Sequence, residues 1–233
     1  ICVRRDDGAS MIDLLTPSSG EDSPWRDPAR YWPMRSAAVA AVPGPVATID
    51  VAALRWNTYD LLARSAGVPI RVASKSIRVR SVLDAVLNVP GYRGILAYTL
   101  AEALWLAQDH DDVVLGYPTV DREALDILTR NERAAARITL MIDDPAHLAL
   151  IDAVRGPAAR PVIRVAIDVD ASWRTPLLGH IGVRRSPLHQ VSEVVGFAQH
   201  VVARSGFALV GLMMYEAQIA GQPDKEGFAD PVI

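Results

Sequence analysis

The sequence predicts an α/β fold built on parallel strands. Short apolar runs alternate with amphipathic stretches from Pro45 onward, and the loops between them are brief. The runs are continuously apolar, as in Ile138-Thr139-Leu140-Met141-Ile142 and Leu209-Val210-Gly211-Leu212-Met213-Met214. A strand covered on both faces reads that way, whereas a half-buried one alternates. Pattern alone leaves a doubly wound sheet and a barrel equally open.

Strands are expected at 46–51, 70–74, 94–97, 113–116, 137–142, 162–168 and 207–215, and helices at 54–66, 79–87, 100–108, 122–133, 145–154 and 188–205. Gly67, Gly91 and Gly156 follow three of these helices, where a C-terminal cap belongs. Residues 1–44, rich in Pro, Asp, Arg and Ser, read as an N-terminal arm with helical promise only over 28–42. Residues 45–233 read as the main domain. Neither GxGxxG nor GxxxxGK[ST] follows the first strand, so no nucleotide-phosphate loop is signalled.

With a formal net charge of −3, the chain offers no electrostatic case for nucleic acid or an anionic membrane. No apolar run approaches the roughly 20 residues of a membrane-spanning helix. Ile1-Cys2-Val3 leads straight into charged residues, unlike a signal peptide, and the single cysteine, Cys2, cannot form an internal disulfide. Both features point to a reducing, cytoplasmic setting. The chain opens on Ile, with Met11 a candidate initiator, and stops just beyond a polar stretch at 221–227, which suggests a piece of a longer protein.

Lysine usage is the sharpest compositional feature. Of 24 basic residues only Lys75 and Lys225 are lysine. Lysine forms imines and arginine does not, so a chain this partial to arginine has a chemical reason to keep one. Lys225 sits in the polar tail and reads as a solvated charge. Lys75 ends a strand-like run, 70–75, and function in parallel α/β folds gathers at such carboxyl ends. The other predicted strand ends bring Tyr98, Thr99, Tyr117, Asp143, Asp168, Asp170, Tyr215 and Glu216, a polar set around one lysine. Each taken singly is more often a cap or a loop residue than a chemical one.

The segment Ala47-Thr48-Ile49-Asp50-Val51-Ala52-Ala53-Leu54-Arg55-Trp56-Asn57 resembles the opening of the alanine racemase-like (fold type III) pyridoxal-phosphate enzymes. Val72-Ala73-Ser74-Lys75-Ser76 falls where that family places its cofactor lysine. With Ile77-Arg78 after it, the segment looks closest to the amino acid deaminase/aldolase branch, related to D-threonine aldolase and D-serine dehydratase. His180-Ile181-Gly182-Val183-Arg184 resembles the segment those enzymes carry after the fifth barrel strand. Gly211-Leu212-Met213-Met214-Tyr215-Glu216-Ala217 is similar to their sixth strand. The likeness spans about Pro45 to Gly221. It departs from alanine racemase in lacking a tyrosine shortly after the lysine and in an insertion over 171–179.

The resemblance implies an α/β (β/α) barrel of the alanine racemase N-terminal type, incomplete, with about six of eight barrel strands and no C-terminal β-domain. It implies pyridoxal 5'-phosphate as cofactor, Lys75 as the Schiff-base lysine, and His180, Tyr215, Arg78 and Asp168 as candidate cofactor contacts. The implied activity is a lyase, aldolase or deaminase, acting on small D-amino acids such as β-hydroxy D-amino acids, in a protein that is a homodimer when complete. A divalent metal would be held by the absent domain, and no residue here has metal-ligand spacing. Other readings are a racemase of the same fold, a non-catalytic pyridoxal-phosphate homeostasis protein, and a barrel aldolase whose lysine needs no cofactor.

Overall fold

A computed structural model describes residues 12–17 and 23–220. Cys2, Met11, Lys225 and the polar stretch at 221–227 lie outside them. The chain divides into two compact units, Ile1–Gly94 and Ile95–Ile233.

In the first unit, a 3-10 turn at Pro24–Arg26 leads into helix α1 (Pro28–Val39), followed by α2 (Val51–Arg64), strand β1 (Ile70–Ala73) and α3 (Arg80–Leu87). The strand expected over 46–51 does not form. Asp50 instead caps α2, accepting from the Ala52 and Ala53 N–H groups at 3.0 and 3.3 Å. A short carboxylate that satisfies the orphan donors of a helix start outcompetes extension of the preceding backbone. The same carboxylate accepts from the Tyr31 hydroxyl at 2.8 Å and pairs with Arg35 at 2.6 Å, which fastens α1 to the start of α2.

Strand β2 (Tyr92–Ala97) leads into the second unit. Its elements are α4 (Leu100–Leu106), β3 (Val113–Leu115), α5 (Arg122–Arg130), α6 (Glu132–Arg137), β4 (Ile138–Ile142), α7 (Pro145–Val154), β5 (Ile163–Val169), β6 (Trp173–Thr175), β7 (Gly179–Ile181), α8 (Val191–Ala203) and β8 (Phe207–Met214). The main sheet runs β1-β2-β3-β4-β5-β8, and the pairings from β2 through β8 are parallel. All five residues of β4 are buried, as its unbroken apolar run requires. Ile163, Val165 and Ile167 of β5 and Leu140 of β4 are each at most 1% exposed, which places the core along the centre of the sheet.

The single helix expected over 122–133 is two helices. Asn131 breaks it by leaving helical geometry and capping α6, its side chain accepting from the Ala134 N–H at 3.0 Å. The insertion over 171–179 contributes to an antiparallel hairpin, β6–β7, outside the main sheet. Between β5 and β8 the register slips: Val165 faces Leu209, but Ala166 faces Gly211, so Val210 is a bulged residue. Such a bulge bends and re-aims the strand beyond it, and the segment re-aimed here ends at Tyr215. Gly67 and Gly91 take the left-handed backbone expected of a cap, whereas Gly156 has φ −61° and does not.

Candidate functional site

Lys75 does not extend β1. The strand stops at Ala73, and Ser74–Ser76 form one 3-10 turn, so the alternation of faces does not carry through to the lysine. Ser74 is fully buried beneath the turn, while Lys75 is exposed. Among the described residues the Lys75 amine has no hydrogen-bond or ion-pair partner. The turn is closed from behind by Arg78. Its N–H donates to the Ser74 carbonyl at 2.9 Å, its Nε donates to the Lys75 carbonyl at 3.2 Å, and its φ is +48°. Left-handed backbone at a residue other than glycine costs about 1 kcal/mol or more and tends to persist where a functional group must be presented. Arg78, a candidate cofactor contact, thus also braces the lysine turn through the backbone carbonyls of Ser74 and Lys75.

In the second unit, the carboxyl ends of β3, β5 and β8 converge on Arg185, a residue sequence reasoning missed. Its Nε donates to Asp168 Oδ2 at 2.8 Å, and an Nη donates to the Gly116 carbonyl. Its guanidinium lies 4.6 Å from the Tyr117 ring centroid and 5.7 Å from that of Tyr215. Tyr117 in turn meets Tyr98 edge to face at 5.4 Å. Beside these rings opens a cleft of about 340 Å³, lined by Tyr98, Thr99, Leu115, Tyr117, Thr119 and Asp121. Two of the predicted residues, Asp168 and Tyr215, therefore share one partner. Nothing in the pattern of an arginine-rich chain distinguishes the arginine that will be buried, and only the strand ends around it give a hint.

Burial pushes the Asp168 carboxyl up; Arg185 pulls it back and Asp170 adds repulsion, leaving it above the usual carboxylate range. Its Oδ1 is buried with no hydrogen-bond partner among the described residues. Asp170, 3% exposed, goes the other way. Burial alone would raise it, but the Ser172 hydroxyl and N–H and the Arg174 guanidinium at 2.6 Å hold it below that range. Asp143, at the end of β4, is raised by burial and by Asp168, against the pull of His147 and a hydrogen bond from Ser186.

His180 is not part of the Arg185 cluster. It lies in β7, with Nδ1 3.4 Å from Ser172 Oγ and Nε2 buried without a partner among the described residues. Close by, Gln218 donates from Nε2 to the Ala171 carbonyl at 2.9 Å and leaves its own Oε1 unpartnered. The described residues include no group of three or more His, Cys, Asp or Glu arranged to hold a metal ion. None of the described helices is long and apolar enough to cross a membrane.

No family model matches the sequence, and no curated protein matches it either. Among solved structures, the chain is similar to a D-threonine aldolase from Filomicrobium marinum, with 21% identity and a TM-score of 0.60 over 75% of this chain. Alanine racemases from E. faecalis (18% identity, TM-score 0.49, 67% of this chain and 40% of that one) and Clostridium difficile 630 (14%, 0.47, 69% and 39%) resemble it more loosely. The chain spans 44% of the length of the D-threonine aldolase. At this identity the likeness to the D-threonine aldolase concerns the fold alone, and the described residues carry a six-stranded sheet of that fold.

Proposed function

We propose that residues 45–233, preceded by an arm over 1–44, are the cofactor-binding barrel portion of a pyridoxal-phosphate lyase that acts on small D-amino acids, β-hydroxy D-amino acids among them. The observation that carries this reading is the Lys75 turn. An exposed amine with no partner among the described residues follows the first strand of a fold shared with a D-threonine aldolase. An amine tied up in an ion pair would not fit an aldehyde cofactor; this one does. Bound there, pyridoxal phosphate supplies an electron sink for charge developing at the substrate Cα.

The chain's own residues supply binding and order. Lys75 holds the cofactor through Nζ, and the Arg78 brace keeps that turn from relaxing. Within the second unit, taken by itself, Arg185 fixes the rings of Tyr117 and Tyr215 and neutralises Asp168, and His180 carries a buried Nε2 without a partner among the described residues. The partner molecule in this reading is a small amino acid, the setting is cytoplasmic, and the whole enzyme is a homodimer.

Incubation of the chain and pyridoxal phosphate with D-threonine and D-serine tests the proposal, with products followed by mass spectrometry. Release of acetaldehyde or of a 2-oxo acid with ammonia is expected. Interconversion of D- and L-enantiomers as the sole reaction would replace it with a racemase.

A further inference from the structure

We infer that the β6–β7 hairpin is a lid that closes on the cleft beside Tyr98 and Tyr117, with Leu177 and Leu178 as its contact. The inference concerns the second unit by itself and needs neither Lys75 nor a cofactor. The Thr175 hydroxyl at the end of β6 accepts from the Leu178 N–H at 2.8 Å and closes the turn that carries the two leucines. At that tip Leu177 is 92% exposed and Leu178 58%. Single exposed leucines are ordinary on a protein surface, whereas two adjacent ones at the end of a two-stranded arm call for a covering surface. Among the described residues the arm pairs with no other strand. A lone ribbon of two three-residue strands is marginal in water until one of its faces packs.

The root of the arm is held. Asp170 accepts from the Ser172 N–H at 2.9 Å, pairs with Arg174 at 2.6 Å, and donates its own backbone N–H to the Leu188 carbonyl at 2.8 Å. Gln218 adds a bond to the Ala171 carbonyl. The return strand, by contrast, is bracketed by Gly179 and Gly182 at φ +72° and +111°. Glycines there let the arm pivot on its fixed root without strain.

The cleft offers the matching surface. It opens at the carboxyl ends of β2 and β3, and the hairpin leaves the same parallel sheet at the carboxyl end of β5. Its rim is apolar and uncovered, with Val120 76%, Tyr98 44% and Tyr117 39% exposed. Only β4 separates β3 from β5, a gap of about 10 Å at two strand spacings. Arg185 bridges it, from Asp168 Oδ2 at 2.8 Å to the Gly116 carbonyl. The run from Ala171 to Leu177 reaches up to about 20 Å when extended, so the tip is long enough to cover the cleft. Closure takes apolar surface of both partners out of water, gives the marginal ribbon a packed face, and shuts solvent out of the cleft.

Disulfide trapping tests the lid. In a Cys2→Ser background, which removes the chain's single thiol, Leu177→Cys is combined with Val120→Cys and, separately, with Thr119→Cys. A disulfide needs its two Cα atoms within about 7 Å, so an intrachain bridge forms only when the tip sits on the rim. Circular dichroism confirms the fold of each variant, and all four positions lie outside the core. The dilute full chain is oxidised mildly and its bridges are mapped by mass spectrometry. An intrachain bridge in at least one pair is expected, forming about tenfold more slowly when Leu178→Ser is added. An unchanged rate with Leu178→Ser would show undirected swinging and overturn the apolar closure. Bridges only between chains would assign the leucines to a second copy and overturn the lid, as would no bridge in either pair.

Discussion

Arg185, 16% exposed in its side chain, lies near two tyrosine rings and against Asp168, itself 1% exposed. Arg185→Met should therefore cost about 3–5 kcal/mol, because it strands a buried carboxylate. Arg185→Lys should recover part of that by keeping the charge while losing the planar fork. Urea denaturation of the three proteins checks both. Two carboxylates should move stability with pH in opposite senses. Burial would raise Asp50, but the hydrogen bonds from Tyr31 and the α2 N–H groups, with Arg35, hold it low. Its contribution is present above the unfolded value near 3.8 and is lost as pH falls through its folded value. Asp143 is raised by burial, so its contribution is present at low pH and is lost as pH rises through its folded value. Asp143→Asn should thus gain on wild type as pH rises through the folded value of Asp143, while Asp50→Asn should lose most where the acid is ionised. Lysine scarcity made Lys75 legible because it is a property of composition. Arg185 matters through the carboxylate, carbonyl and rings it meets at the strand ends, and a lone sequence carries no periodic mark of that.

Elements with one dominant local rule were readable. Pro145 and the apolar spacing after it set α7 at its observed bounds, and unbroken apolar runs marked β4 and β5. Elements decided by a polar side chain were not. The run at 46–51 has strand-like composition, yet Asp50 turns it into a helix start, and Asn131 divides one apolar helix pattern into two. Replacing Asp50 by Ala, rather than Asn, also removes the cap itself and should cost about 1–2 kcal/mol. The β6–β7 hairpin was opaque because it packs through polar contacts at its base. Gly182 follows it with φ +111°, and a Cβ there would meet Gln218 Oε1 at 3.0 Å and the Ser172 Cα at 3.3 Å. Gly182→Ala should destabilise by about 1–3 kcal/mol and loosen the Ser172–His180 contact, seen as a change in the His180 ring signals.

Six strands were counted correctly from the lysine strand onward, and the fold that holds them is similar to that of the D-threonine aldolase. Pattern could not choose between a barrel and a doubly wound sheet, since both bury their strands on two faces; the racemase-like segments made the choice. Among the described residues β8 is paired only through β5, and Val210, Leu212 and Met214 are 44%, 56% and 51% exposed along it. An unpaired edge with apolar side chains invites association. The 233-residue chain should self-associate in sedimentation velocity at micromolar concentration. The double change Val210→Lys, Leu212→Lys should reduce that association, with the far-ultraviolet circular dichroism unchanged. A wild-type chain that stays monomeric would show this edge to be protected.

The central claim, that Lys75 is the cofactor lysine, is tested most directly by covalent mapping. The chain is saturated with pyridoxal phosphate, reduced with borohydride and digested, and the pyridoxyl mass is located on its peptides. With only two lysines in the sequence, the readout is a choice between two sites. The account predicts the mass on Lys75, a visible absorption band before reduction, and loss of both in Lys75→Ala and Lys75→Arg, since a guanidinium keeps the charge but cannot form the imine. A pyridoxyl group on Lys225 instead, or a band that survives Lys75→Ala, would contradict it.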